Sequence, residues 1–167
     1  GYLDADTPVC PESYEISKKS AGAWLDGVNE VLNGNSTLIL SRPPGHHAER
    51  SRAMGFCLFS NASLAAIYAL KQNRINKVCI FDWDVHHGNG TQNIVQNNPD
   101  IYYVSTHQFP FYPGTGSHLE TGKYNNVLNI PLPAGMCSRD YRKKFDEAVE
   151  RMTPKTVADL SNLLWYP

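Results

Sequence analysis

The sequence predicts one α/β layer structure, with a parallel sheet covered by helices on both faces. Three observations predict it. Short apolar runs alternate with segments of helical period, the order of βα units. The runs "STLILS", "KVCIFDWD", "IYYVST" and "VLNIPL" are apolar almost throughout, as strands buried on both faces are. The side chains most able to do chemistry follow the carboxyl ends of two of these runs, where open α/β sheets place their ligands.

Residues 12–33 put Tyr14, Ala21, Trp24, Leu25, Val28, Val31 and Leu32 at helical spacing, and Gly34 stands where a C-terminal cap belongs. Residues 36–41 then read as a buried strand, stopped by Pro43-Pro44-Gly45. The segment 61–74 is a helix, apolar nearly all round and so expected to be covered on several sides. "KVCIFDWD" is the next strand. A short helix over "TQNIVQNN" leads to Pro99 and a third strand, residues 101–106. Residues 107–126 hold two prolines and three glycines with no sustained period. A loop of that length in a compact domain is usually functional. "VLNIPL" is a fourth strand. Ser138 caps a last helix whose core face is Tyr141, Phe145, Val149 and Met152. There is no internal repeat and no low-complexity linker.

A chain of 167 residues suits one domain, and 41% hydrophobic with 19% charged residues describes a globular one. Its net charge of -1 gives no general attraction for nucleic acid, and no direct nucleic-acid binding is expected. No apolar run approaches the ~20 residues of a membrane span, so no membrane partner is expected either. Cys10, Cys57, Cys79 and Cys137 are scattered, without a C-x-x-C pair. They read as reduced, mostly buried thiols of a cytoplasmic protein, or a nuclear one in a eukaryote.

The chemistry is concentrated in "SRPPGHHAE" and "FDWDVHHGNG", which hold four of the six histidines. In an extended segment Asp82, Asp84 and His86 would share one face. Zinc accepts imidazole nitrogen and carboxylate oxygen, and a catalytic zinc keeps three protein ligands and an open position. Asp84 and His86 could supply two of the three. Asp82 would suit the shell behind them, accepting the ring N–H of a nearby histidine. A lone D-x-H is more often a surface turn or a capped strand end. Here the apolar strand, the glycines Gly88 and Gly90, and a second histidine pair on a neighbouring loop keep a metal site open beside that plainer reading.

"RPPGHHA", "GFCLFSNASLA", "FDWDVHHGNGTQ", "YYVSTHQFPFYPGTG" and "NVLNIPL", in this order, resemble the histone deacetylase family. The resemblance is closest to class II members and their bacterial relatives, the acetoin-utilisation proteins and acetylpolyamine amidohydrolases. It runs from about residue 2 to about residue 152 and implies a three-layer arginase/deacetylase-like sandwich around a mainly parallel sheet. It also implies a zinc-dependent hydrolase that cleaves the amide of an acylated lysine or an acetylated polyamine. Asp84 and His86 are then zinc ligands, and His46 and His47 the tandem histidines beside the metal-bound water. His47 is the general base, later protonating the leaving amine, while His46 helps by electrostatics and orientation. Asp82 holds His46, and Asn89 stands behind His47 in the class II manner. Phe56 and Tyr112 wall a narrow tunnel for the acyl-lysine stem, with Gly55 allowing close backbone approach. The main chain at Asp82, Asp84 and His86, with Ser105 and Thr106, matches a structural potassium site. Asp4 matches, loosely, a rim aspartate that binds substrate backbone.

The sequence also departs from the family. Family domains are about twice this length, and their third zinc ligand lies in a "GFD"-like segment expected soon after Pro154. The chain instead reads "KTVADLSNLLWYP", where Asp159 lacks that context and reads as a solvated residue of a short helix. The glycine-rich loop with the family's transition-state tyrosine has no counterpart. Residues 1–167 are therefore expected to be one truncated deacetylase domain with a divergent tail from about residue 153. The alternative is a catalytically incomplete fragment or a non-enzymatic remnant. An unpaired sheet edge and the apolar tail lead to an expectation of self-association. A manganese ureohydrolase of arginase type would need D-x-H-x-D, and Gly88 takes the place of the second acid.

Overall fold

The computed structural model describes residues 1–156 and 163–166, with side chains described through residue 151. Helices α1 (Ser13–Leu32) and α2 (Asn61–Leu70) precede strand β1 (Val78–Asp82). Helix α3 (Asn89–Val95), strands β2 (Ile101–Gln108) and β3 (Val127–Leu132), helix α4 (Ser138–Thr156) and strand β4 (Leu163–Tyr166) follow. The four strands lie in the order β3-β2-β1-β4 and every pairing is parallel.

Strand alternation splits the core into two layers. Val78 and Ile80 of β1, with Ile101 and Tyr103 of β2, face Trp24 and Val28 of α1 and the alanines of α2. Cys79, Phe81, Tyr102 and Val104 face the opposite way, against Tyr141, Phe145 and Val149 of α4. Helices thus cover both faces, as the continuously apolar strands predict. Asp82 continues the phase of Val78 and Ile80, which aims its carboxylate at the α1–α2–α3 layer rather than at α4.

Several expectations are corrected. Residues 36–41 form no strand. The segment alternates as a strand would, with Ile39 packed on the core and Leu38 and Leu40 left 79% and 84% exposed. Among the described residues no strand lies beside it to pair with. Helix α2 is covered over much of its surface, with Ala62, Ala65, Ala66 and Ala69 buried, but its larger residues Leu64 and Ile67 reach solvent. Small alanines let α1 and the sheet approach one face and leave the larger residues outside. Of the four thiols, all free, Cys57 and Cys79 are buried but Cys10 and Cys137 are exposed.

The tail also departs from expectation. Leu163–Tyr166 pair in register with Cys79–Asp82, so the apolar "LLWY" run supplies β4 instead of lacking a partner. A strand there satisfies the outward N–H and C=O groups of β1, which would otherwise form an open edge. Asp159 and the side chain of Met152 lie outside the described residues.

Candidate functional site

The site is assembled at the carboxyl ends of β1 and β2 and in the loop before α2. Asp82 ends β1, and the chain beyond it is not extended as the sequence suggests. Two successive turns follow, each closed by a carboxylate: Asp82 Oδ1 accepts the Asp84 N–H at 3.2 Å, and Asp84 Oδ1 accepts the His86 N–H at 2.7 Å. Such side-chain-to-backbone closures are what aspartate does at tight turns. They bring Asp84 Oδ1 to 3.1 Å from His86 Nδ1, both side chains half-buried.

The loop carrying His46 and His47 is locked to this turn through the backbone. The N–H groups of Gly90 and Thr91 donate to His46 O at 2.8 and 3.0 Å. A Cβ on Gly90 would collide with the main chain of His47 and Ala48, so only glycine permits that approach. Both histidines are buried, with ring centroids 4.0 Å apart.

Their partners differ. His46 Nδ1 lies 3.0 Å from Asp82 Oδ2, which also accepts the Tyr103 hydroxyl at 3.0 Å. His47 Nδ1 lies 2.8 Å from Asn89 Oδ1. The Asn89 amide is oriented by its other end, where Nδ2 donates to Glu49 Oε1 at 2.8 Å and to Met54 Sδ at 3.4 Å. Its oxygen must therefore face His47, so Nδ1 of His47 carries the proton and Nε2 is left as the base. Burial resists charging His46, but the charge and hydrogen bond of Asp82 outweigh it and raise the pKa. Burial, with His46 alongside, lowers His47 to about 4. One ring of the pair thus leans towards the cation, while the other stays neutral at physiological pH.

The walls are aromatic. Tyr112 meets His47 edge-on with centroids 5.1 Å apart, and Phe111 stacks on His86 at 5.0 Å and 12°. Gly55 (φ 57°) sits so close to the His47 ring that any Cβ would collide with it. Phe56 follows, also at positive φ and exposed. The Gly55-Phe56 turn is held from the N-terminal segment: Asp6 Oδ1 accepts the Gly55 N–H at 3.2 Å, and Thr7 Oγ1 accepts the Phe56 N–H at 3.1 Å. Asp4 lies in that N-terminal segment, with its Oδ1 accepting the Asp6 N–H at 3.2 Å.

The structure therefore brings together His46, His47, Asp82, Asp84, His86, Gly55 and Tyr112. Phe56 and Asp4 lie at its margin, and Ser105 pairs in register with Asp82 one strand away. Sequence reasoning missed Tyr103, whose ring fills the core like any strand aromatic and whose hydroxyl alone marks it. It also missed Asp6 and Thr7, although a D-T pair next to a turn is a usable signal for backbone capture. Among the described residues, no group of three or more His, Cys, Asp or Glu is arranged to hold a metal ion. No helix among them is long and apolar enough to cross a membrane.

Residues 1–158 match the family described as the histone deacetylase domain. The histone deacetylase-like amidohydrolase of Pseudomonas aeruginosa is 38% identical over 167 residues, covering 94% of this chain and 44% of that protein. The crystal structure of the HDA15 HD domain is similar at a TM-score of 0.91 and 35% identity, over 100% of this chain and 50% of that one. That of acetylpolyamine aminohydrolase from Burkholderia pseudomallei is similar at a TM-score of 0.86 and 33% identity, over 91% and 46% respectively. The chain spans about half or less of the length of the curated relatives it matches. On the match of residues 1–158 to that domain, and on a parallel α/β sandwich shared with those structures, the chain belongs to the histone deacetylase family.

Proposed function

We propose that this protein hydrolyses the amide of an acylated lysine side chain, with zinc as its metal and the His46–His47 pair as its proton-handling groups. The observation that carries this reading is the opposite setting of two adjacent buried histidines, one on a carboxylate and one on an amide, beside Asp84 and His86.

Asp84 and His86 suit a zinc ion. Their nearest donor atoms are 3.1 Å apart, close to the about 3.3 Å between two ligands each about 2.0–2.1 Å from a tetrahedral ion. A third ligand would have to join them. Zinc held there would lower the pKa of a bound water from about 15.7 towards about 7 and polarise the substrate carbonyl.

The remaining chemistry falls to the side chains. His47 takes the proton of the attacking water at Nε2, since Nδ1 already donates to Asn89. It returns that proton to the departing nitrogen, which leaves as the free amine. His46, biased towards the cation by Asp82, offers positive charge to the oxygen on which negative charge develops. Tyr112 and Phe56 flank the aliphatic stem, Gly55 lets it pass close to the backbone, and Asp4 stands at the rim for backbone contacts. The main chain at Asp82, Asp84 and His86, with Ser105 and Thr106, is assigned a structural potassium ion.

Two further readings have specific support. The likeness to a protein named acetylpolyamine aminohydrolase favours an acetylated polyamine as the alternative substrate. That no third His, Cys, Asp or Glu joins Asp84 and His86 among the described residues is the observation that would fit a catalytically incomplete remnant. Acetate release from an acetyl-lysine peptide and from acetylspermidine, with zinc supplied, separates all three. Faster release from the peptide, reduced about 10²–10⁴-fold by His47→Ala, is expected. Release from the polyamine alone would transfer the proposal to that substrate, and release from neither would leave the remnant.

A further inference from the structure

Beneath the aromatic wall lies a second cluster of buried polar side chains that the proposed chemistry does not use. His87, His107, Gln92 and Asn129 are all buried, and Glu120 is half-buried beside them. His87 Nδ1 is 2.8 Å from Thr115 Oγ1, and His87 Nε2 is 2.9 Å from Gln92 Oε1. Gln92 Nε2 donates to Glu120 Oε2 at 2.6 Å, and Glu120 Oε1 accepts the N–H groups of Gly116 and Ser117, each at 3.0 Å.

These bonds close on themselves in one sense only. Asn129 Nδ2 also donates to Gln92 Oε1, at 2.7 Å, which fixes that atom as the acceptor. His87 must then donate from Nε2, which in the neutral ring leaves Nδ1 to accept the Thr115 hydroxyl, while Gln92 donates to Glu120. The ring leaves the 115–117 turn at Thr115 and returns to it at Gly116 and Ser117. A second tether runs from His107 Nε2 to Gly116 O at 2.9 Å. Gly116, at φ 91°, sits directly on the His87 and His107 rings, where any Cβ would collide.

The turn matters because of what lies between it and the sheet. Gln108 N–H donates to Val85 O at 2.9 Å and Phe109 N–H to Leu132 O at 2.8 Å, which anchors the near end of the loop. The segment between the two anchors carries Phe111 and Tyr112. Both rings are substantially exposed and so are weakly held by their own burial. We propose that His87, Gln92 and Glu120 are positioning residues: their closed hydrogen-bond ring pins the 115–117 turn and thereby sets Tyr112 against His47 and Phe111 against His86. The significance of that setting for a substrate channel rests on the deacetylase reading above, but the setting itself does not.

The test is therefore made on the protein without metal or substrate, by nuclear Overhauser contacts between the Tyr112 and His47 rings and between Phe111 and His86. Amide exchange is measured alongside, with residues 101–106 reporting the intact sheet. The parent protein and Thr115→Ser, which keeps the hydroxyl, are expected to show both ring contacts. Glu120→Ala is expected to lose them, with faster exchange at residues 109–117 and none of that change in 101–106. Thr115→Val, which deletes one bond of the ring at an exposed position, is expected to speed loop exchange about fivefold, the worth of one neutral hydrogen bond. It decides the matter if Glu120→Ala fails to fold. Ring contacts that persist in Glu120→Ala while 115–117 exchange freely would overturn the proposal. So would contacts and exchange unchanged in Thr115→Val, or contacts absent from the parent protein.

Discussion

His46 and His47 are adjacent in the chain and their rings lie 4.0 Å apart, yet they are bound to opposite kinds of partner. An anionic carboxylate holds His46 and a neutral amide holds His47, which separates two otherwise identical side chains into a cation-leaning group and a base. Finding titratable groups pushed apart in this way is how acid and base roles are assigned.

The first prediction exchanges that partner. Asn89→Asp places a negative charge against His47 and favours its protonated form. An opposite charge at such range moves a pKa by about 1–3 units. The pKa of His47, about 4 in the parent protein, should rise, as followed by the titration of its ring protons. A pKa that does not move would mean that the Asn89 contact does not control this ring.

A second prediction separates ligand from base. Asp84→Ala removes one of the two side chains proposed as zinc ligands and should lower zinc content. His47→Ala should leave zinc content near that of the parent while abolishing most acetate release. Equal loss of zinc in both variants, by metal analysis after dialysis, would make His47 a ligand and reverse the assigned roles.

The helix-covered sheet and three of its strands were legible in the sequence because each depends on a local pattern: β1, β2 and β3 are mostly apolar runs, and α1 is followed by Gly34 with φ 90°. The pairs His46–Asp82 and His47–Asn89 were legible only through the resemblance, since they join residues 36 and 42 positions apart. What failed were properties set by neighbours rather than by the segment itself. Residues 36–41 have the composition of a strand, but a strand exists only where another pairs with it. Tyr103 looks like core because its ring is core, and the bond of its hydroxyl to Asp82 leaves no trace in composition.

A third prediction concerns acid stability. Burial lowers His47 and His87 from 6.5 to about 4, and lowers His107 in the same direction. Between those values the unfolded chain binds more protons than the folded one, so stability must fall as pH falls. Their contribution is complete above about 6.5 and is lost towards about 4. His46 works the other way: its pKa is raised, so its contribution is present at low pH and lost as pH climbs through the raised value. Three groups against one give a net loss. The urea midpoint of the metal-free protein should therefore be lower at pH 5 than at pH 7.5, and an equal or higher midpoint at pH 5 would contradict the burial of these rings.

The last prediction follows from residues 36–41. Leu38 and Leu40 project 79% and 84% exposed from an extended segment that has no neighbouring strand among the described residues. Unpaired extended backbone flanked by apolar side chains is a template for pairing with another chain, and charged residues at such edges are the usual remedy. The 167-residue protein should therefore self-associate, its sedimentation coefficient rising with concentration across the micromolar range. Leu38→Lys with Leu40→Lys should suppress that rise without loss of folding, because neither side chain is buried and Ile39, which packs on the core, is untouched. Association that persists undiminished in the double variant would move the contact elsewhere, to the β3 edge or to the exposed Leu64 and Ile67 of α2. A parent protein that stays monomeric throughout would show that the exposed leucines are tolerated as they stand.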